Sequence, residues 1–249
     1  MCMNFTEYQA LELELESALV AIGRDAGCLH KPITDGVVHY PTYIESSPKI
    51  LWILKEPWEV LETEEVGGGW NVAREAPALL LGHNSNKGAL AMMAYISYAI
   101  SNGLRRWQDV PSVSDSPEVA KSLARLGYIN VSKFPGAKTS EGAMLAQQYG
   151  RYRDLLHKQI QALSPDVIIG GSTLWLFLDD LGIRREMFDQ SMSAHYLRNH
   201  GRLYIDAYHP AQWSAVKPEK YFGDIVEIIF RHFPPFDSAK AIAAASSRE

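Results

Sequence analysis

Ile50-Leu51-Trp52-Ile53-Leu54-Lys55-Glu56-Pro57-Trp58 is the stretch on which the fold turns. Five apolar residues of strand length stop abruptly at a titratable side chain and a proline. A run that is apolar at every position, rather than at alternate ones, is a strand buried on both faces, as in a parallel sheet covered by helices. Leu203-Tyr204-Ile205-Asp206-Ala207-Tyr208-His209-Pro210-Ala211-Gln212-Trp213-Ser214 repeats the design near the other end of the chain. In an open α/β sheet ligands bind outside the carboxyl ends of the strands. Glu56 and His209, each on a loop stiffened by the fixed φ of proline, therefore read as two halves of one site that only the fold can bring together.

Further out, apolar spacing over 6–25 predicts an N-terminal helix ending at Gly23. Residues 59–87 are polar and glycine-rich, a long connection of the kind that is usually functional or mobile. Helices are predicted over 88–101, 118–125, 142–163 (stopped by Pro165), 173–181 and 221–233. Further strands are predicted within 128–136, which ends in a loop, and over 166–171 and 203–207. Strands separated by helices imply a mostly parallel sheet. The expected architecture is an α/β three-layer sandwich with a central four-stranded, mostly parallel sheet and helices on both faces. It forms one domain over 1–236, with an N-terminal helical extension over about 1–47 and a loose tail over 237–249.

Hydrophobic content of 47% and charged content of 21% match a soluble globular protein, and no apolar run approaches a membrane span. The N-terminus has no signal-peptide pattern. Two cysteines, Cys2 and Cys28, are too few for a four-thiolate metal or iron–sulfur site and suggest a reducing compartment. The expectation is a cytoplasmic monomer. His195, His200 and His209 lack ligand spacing, and Gly67–Gly69 lacks that of a phosphate loop, so neither a metal nor another cofactor is expected. A net charge of −5 leaves no general basic surplus for duplex DNA. A nucleic-acid surface would need a local patch drawn from Arg105-Arg106, Lys133, Lys138, Arg151, Arg153, Arg184-Arg185 and Lys217.

Four strand-end segments, in this order, resemble the uracil-DNA glycosylase superfamily. Its first motif is a strand, then a short turn bearing an acid or amide before proline, and Leu54-Lys55-Glu56-Pro57-Trp58 stands there. Its last motif is His-Pro-Ser-Pro-Leu-Ser after a strand, matched here by His209-Pro210-Ala211-Gln212-Trp213-Ser214. Ile129-Asn130-Val131, with Lys133 and Pro135, is similar to its Asn-bearing strand end. Leu163-Ser164-Pro165-Asp166-Val167-Ile168-Ile169-Gly170-Gly171 echoes the strand that precedes the last motif. The likeness spans about residues 48 to 232. It departs from the family at Leu54 and Lys55, where Gly and Gln are usual, and at Ala211 and Gln212, where Ser and Pro are usual.

The resemblance implies hydrolysis of the bond between a damaged or deaminated base and its sugar in DNA, as in base-excision repair, after the base is flipped out of the stack. Such a reaction needs a carboxylate near the cationic sugar and a donor at the base oxygen that gains charge. Glu56 matches the first role and His209 the second. Asn130 matches the residue that reads the edge of an extruded base, although an Asn there also suits a strand-to-loop turn. Trp70 and Phe134 are both candidates to stack on the base. Trp58 falls where some members exclude the thymine methyl, and Trp213 falls where a leucine wedges into the duplex; core packing is the plain alternative for each tryptophan. Ser214, Lys217 and Lys133 complete the candidate DNA contacts. Two other readings of the same fold stand beside this one: a binding protein for a nucleotide or nucleic acid without hydrolysis, and a hydrolase of a small nucleoside-like substrate.

Overall fold

The computed structural model describes residues 3–57, 59, 66–82, 88–136, 141–191, 193–212 and 215–234. Among them, α1 (Phe5–Asp25) starts at a reciprocal cap, in which Asn4 accepts from the Glu7 N–H while Glu7 accepts from the Asn4 N–H. It buries Tyr8, Leu11, Leu15 and Leu19 and leaves Leu13 outside. A two-residue strand, β1 (Gly36–Val37), and a short helix, α2 (Tyr40–Glu45), lead into β2 (Ile50–Leu54), which is buried at all five positions. Then follow α3 (Val72–Gly82), α4 (Ala89–Asn102), α5 (Pro117–Lys121), β3 (Leu126–Asn130) and α6 (Gly142–Leu163). The chain closes with β4 (Val167–Gly171), β5 (Asp189–Gln190), β6 (Ala194–Asn199), β7 (Arg202–Ala207) and α7 (Pro218–His232).

These strands form one mixed sheet of seven, in the order β1-β3-β2-β4-β7-β6-β5. The four central strands are parallel and are the four that the sequence predicts. The expectation of a four-stranded sheet is corrected at both edges, where β1 pairs antiparallel with β3 and the β5–β6 pair adds antiparallel to β7. Neither addition is an apolar run of strand length. β1 has two residues, and β6, covered on its outer side only by the two-residue edge strand β5, is half exposed.

Alternation along the strands sends side chains to two separate cores. Trp52, Leu54, Ile169 and Ile205 face α3, α4, α5 and α7, whereas Leu51, Ile53, Ile129 and Ile168 face α1, α2 and α6. The helix expected over 173–181 is a single 3-10 turn, Leu174–Leu176, followed by turns. The Thr173 hydroxyl donates to the Ile53 carbonyl (2.6 Å), and Leu174 presses so close to Gly170 that a Cβ there would lie 2.6 Å from its Cβ. Tied this tightly to the sheet, the segment has no room to open into an α-helix. The strand predicted within 128–136 begins two residues earlier, at Leu126, and gives way after Asn130 to the loop expected at its carboxyl end. No helix among the described residues is long and apolar enough to cross a membrane. The tail over 237–249 lies outside the described residues.

Candidate functional site

The loops after β2, β3, β4 and β7 leave the same edge of the sheet, because those strands run parallel. Past the sheet, the β2 and β3 loops stay joined. The Val131, Ser132 and Gly136 N–H groups donate to the carbonyls of Leu54 (2.9 Å), Lys55 (2.8 Å) and Pro57 (3.1 Å). Glu56 is half-buried between these loops, its side chain laid against Gly136. A Cβ at 136 would come within 2.4 Å of Glu56 Cγ, so only glycine leaves that room.

One strand separates β2 from β7, which puts their ends about 10 Å apart. Gly171 at the end of β4 is the spacer between them. A Cβ there would sit 2.5 Å from Leu54 Cδ2 and 3.1 Å from Pro210 Cδ. The next residue, Ser172, is held at φ +62, and its Oγ accepts the His209 N–H (3.0 Å). His209 is therefore positioned from β4 as well as from its own strand. Its Nδ1 accepts the Ala211 N–H (3.3 Å), which leaves the proton of the neutral ring on Nε2 as a donor. Burial lowers the His209 pKa to about 4, and the positive charge of Lys55 lowers it in the same direction. Lys55 adjoins Glu56, so the two halves of the candidate site act on one another.

Asn130 closes β3 on the face that also carries Leu54, its register partner, and Tyr128. Its side chain is 1% exposed, and neither its amide nitrogen nor its oxygen has a hydrogen-bond partner. The Tyr128 hydroxyl is a polar neighbour. Burial pushes that phenol up to about 12 while the Asn130 amide pulls it down, but no bond of ordinary geometry joins the two. The Trp52 indole N–H, on the strand beside Tyr128, is also buried and unpaired. Native interiors seldom leave such groups without partners.

The other expected residues divide. Trp70 is half-buried against the α3/α4 core, the face that Asn130 also uses, and its carbonyl accepts the Thr34 N–H (3.0 Å). Lys217 is exposed and precedes α7. Trp58, Trp213 and Ser214 lie outside the described residues, as does Lys138.

Two expectations are corrected. Phe134 is a core residue, packed on Gly23 of α1 and tilted against Tyr152 of α6, with no face left for a base. Lys133 is 1% exposed and makes a bidentate pair with Asp35 (2.7 and 2.8 Å), with Gln159 taking its third proton (3.0 Å). With all three of its protons taken up inside the protein, the ammonium has none left for a phosphate. Asp35 also accepts the Asn130 N–H (2.8 Å), so this pair fixes the end of β3.

The patch of cations expected from the sequence is largely neutralised in place. Arg105 pairs with Glu227, Arg106 with Asp109, Arg153 with Asp180 and Arg185 with Asp206. Among the described residues, no three His, Cys, Asp or Glu side chains gather in a metal-binding group. Comparison with known proteins finds no matching family model and no matching curated protein.

Proposed function

We propose that the carboxyl edge of the parallel strands is a nucleobase site, and that the protein is a uracil-DNA-glycosylase-like hydrolase of the bond between a base and its sugar. The observation that carries this reading is the Asn130 amide, buried with both polar atoms unpaired at the strand end next to that of Glu56, with His209 two strands beyond on the same edge. A base edge offers the donor and acceptor that would satisfy it. Glu56 serves the cationic sugar carbon or orients water. His209, neutral and with its proton on Nε2, donates to the base oxygen as charge grows there. Trp70 is the remaining described candidate to stack on the base.

A second reading, recognition of a base without hydrolysis, draws on the missing cation track. With Lys133 enclosed and four of the nominated arginines paired, little of the expected cation patch is left among the described residues to hold a duplex. A base-release assay on single- and double-stranded oligonucleotides carrying uracil, hypoxanthine, xanthine or oxidised pyrimidines separates the two. Release supports the hydrolase, binding without release supports the second reading, and neither binding nor release removes both.

A further inference from the structure

Beside His209 the same edge opens into a cleft of about 380 Å³, between the end of β7 and the β5–β6 pair. Trp175 and Tyr208 are the only exposed Trp and Tyr side chains among the described residues, at 41% and 47%, and both line this cleft. Neither ring meets another described aromatic ring. Both residues are nonetheless anchored. The Trp175 indole N–H donates to the Ser172 carbonyl (3.3 Å), and the Tyr208 carbonyl accepts the Tyr221 hydroxyl (2.7 Å). Ser172 also holds His209, so the cleft and the candidate base site share one wall.

The charges in the cleft nearly cancel. Arg185 faces Asp206 at 3.5 Å, and His195 stands opposite Asp206 in the strand register. Burial raises the Asp206 pKa, an effect that Arg185 and His195 oppose. A cleft with two open aromatic faces and little net charge suits flat, polarisable rings better than phosphates. Stacking on aromatic side chains is how unpaired strands are held without sequence preference.

We propose that this cleft binds the unpaired nucleotides of a single strand next to the base in the Glu56–Asn130–His209 site, chiefly by stacking on Trp175 and Tyr208. The proposal rests on the nucleobase reading of the adjoining site and assigns its substrate to single-stranded rather than duplex nucleic acid. It also answers how a chain of net charge −5 would hold such a polymer, since stacking needs no cation track.

The test is fluorescence anisotropy with a labelled single-stranded deoxyoligonucleotide and the matching duplex, over a series of salt concentrations. The single strand should bind more tightly than the duplex, with a log–log salt slope shallower than about 1.5, equivalent to some two phosphates. Trp175→Ala and Tyr208→Ala should each weaken single-strand binding by about 5- to 150-fold. Trp175→Phe and Tyr208→Phe, which keep a ring, should retain most of the affinity. Oligonucleotide should quench the wild-type tryptophan emission more than that of Trp175→Phe, a readout that does not depend on the alanine variants folding. Alanine variants that bind like the wild type, or a duplex preference with a steep salt slope, would overturn the proposal. Single-strand binding lost in Trp175→Ala without base release in the wild type keeps the cleft and removes the hydrolase. Base release from a free nucleoside, with no oligonucleotide binding, keeps the base site and removes the cleft.

Discussion

At the scale of single residues, His209 carries the sharpest consequence. A pKa near 4 keeps the ring neutral throughout the physiological range. Its folded value lies below that of an unfolded histidine, near 6.5, so the unfolded chain binds more protons between those limits. The linked stability is whole above about pH 6.5 and is lost as pH falls toward 4. Heteronuclear NMR of the His209 ring should show the Nε2–H tautomer and a midpoint near 4, and a midpoint near 6.5 would contradict its buried, donor-ready state. Glu56 and His209 could be picked out in the sequence because each ends an apolar run before a proline. Lys133 and Phe134 misled for a shared reason. Both follow Asn130 at a strand end, where ligand contacts are expected, and their partners lie in distant segments. Asp35 stands 98 positions before Lys133, and nothing in its local pattern marks it as a buried counter-ion. Asn130 was legible as a residue type at a strand end, but its lack of partners belongs to the packed structure.

At the scale of elements, the ends of strands are set by interactions outside the strands themselves. Lys133→Ala would leave the Asp35 carboxylate buried without its cation. Chemical denaturation should report a loss of about 3–5 kcal/mol; a loss under 1 kcal/mol would mean that the pair does not hold β3 in solution. Gly136→Ala tests the loop pairing without disturbing the core. Its Cβ would push on Glu56 Cγ, so base release should fall about tenfold or more while thermal stability changes little. Unchanged release would place Glu56 away from the chemistry. Long periodic elements such as α1, α4 and α6 were legible because their apolar spacing and stop signals coincide. The last of these ends at Ser164, with φ +43, just before Pro165. The β6–β7 pair was not legible at β6, whose side chains are largely exposed or half-buried, although His200-Gly201, both at positive φ, make the turn that such a pair requires. Helix α3 was hidden in a stretch whose glycines and polar residues suggested a loop throughout.

At the scale of the whole molecule, the order of the parallel strands positions the candidate site. Placing β4 between β2 and β7 puts Glu56 and His209 one strand apart, with Gly171 thin enough to let their loops approach. The alternation of strands and helices announced the parallel core, whereas the antiparallel edges depend on pairing that no local pattern reveals. On the proposed reading, this edge acts on a nucleobase through Glu56. The direct measurement is single-turnover base release from a lesion-bearing single strand by the wild type and by Glu56→Gln, with substrate affinity measured in parallel. A carboxylate that acts mainly on the transition state should, when replaced by its amide, lower release on the order of 100-fold or more and change affinity by less than about threefold. Release by Glu56→Gln at the wild-type rate would rule out that role for the carboxylate.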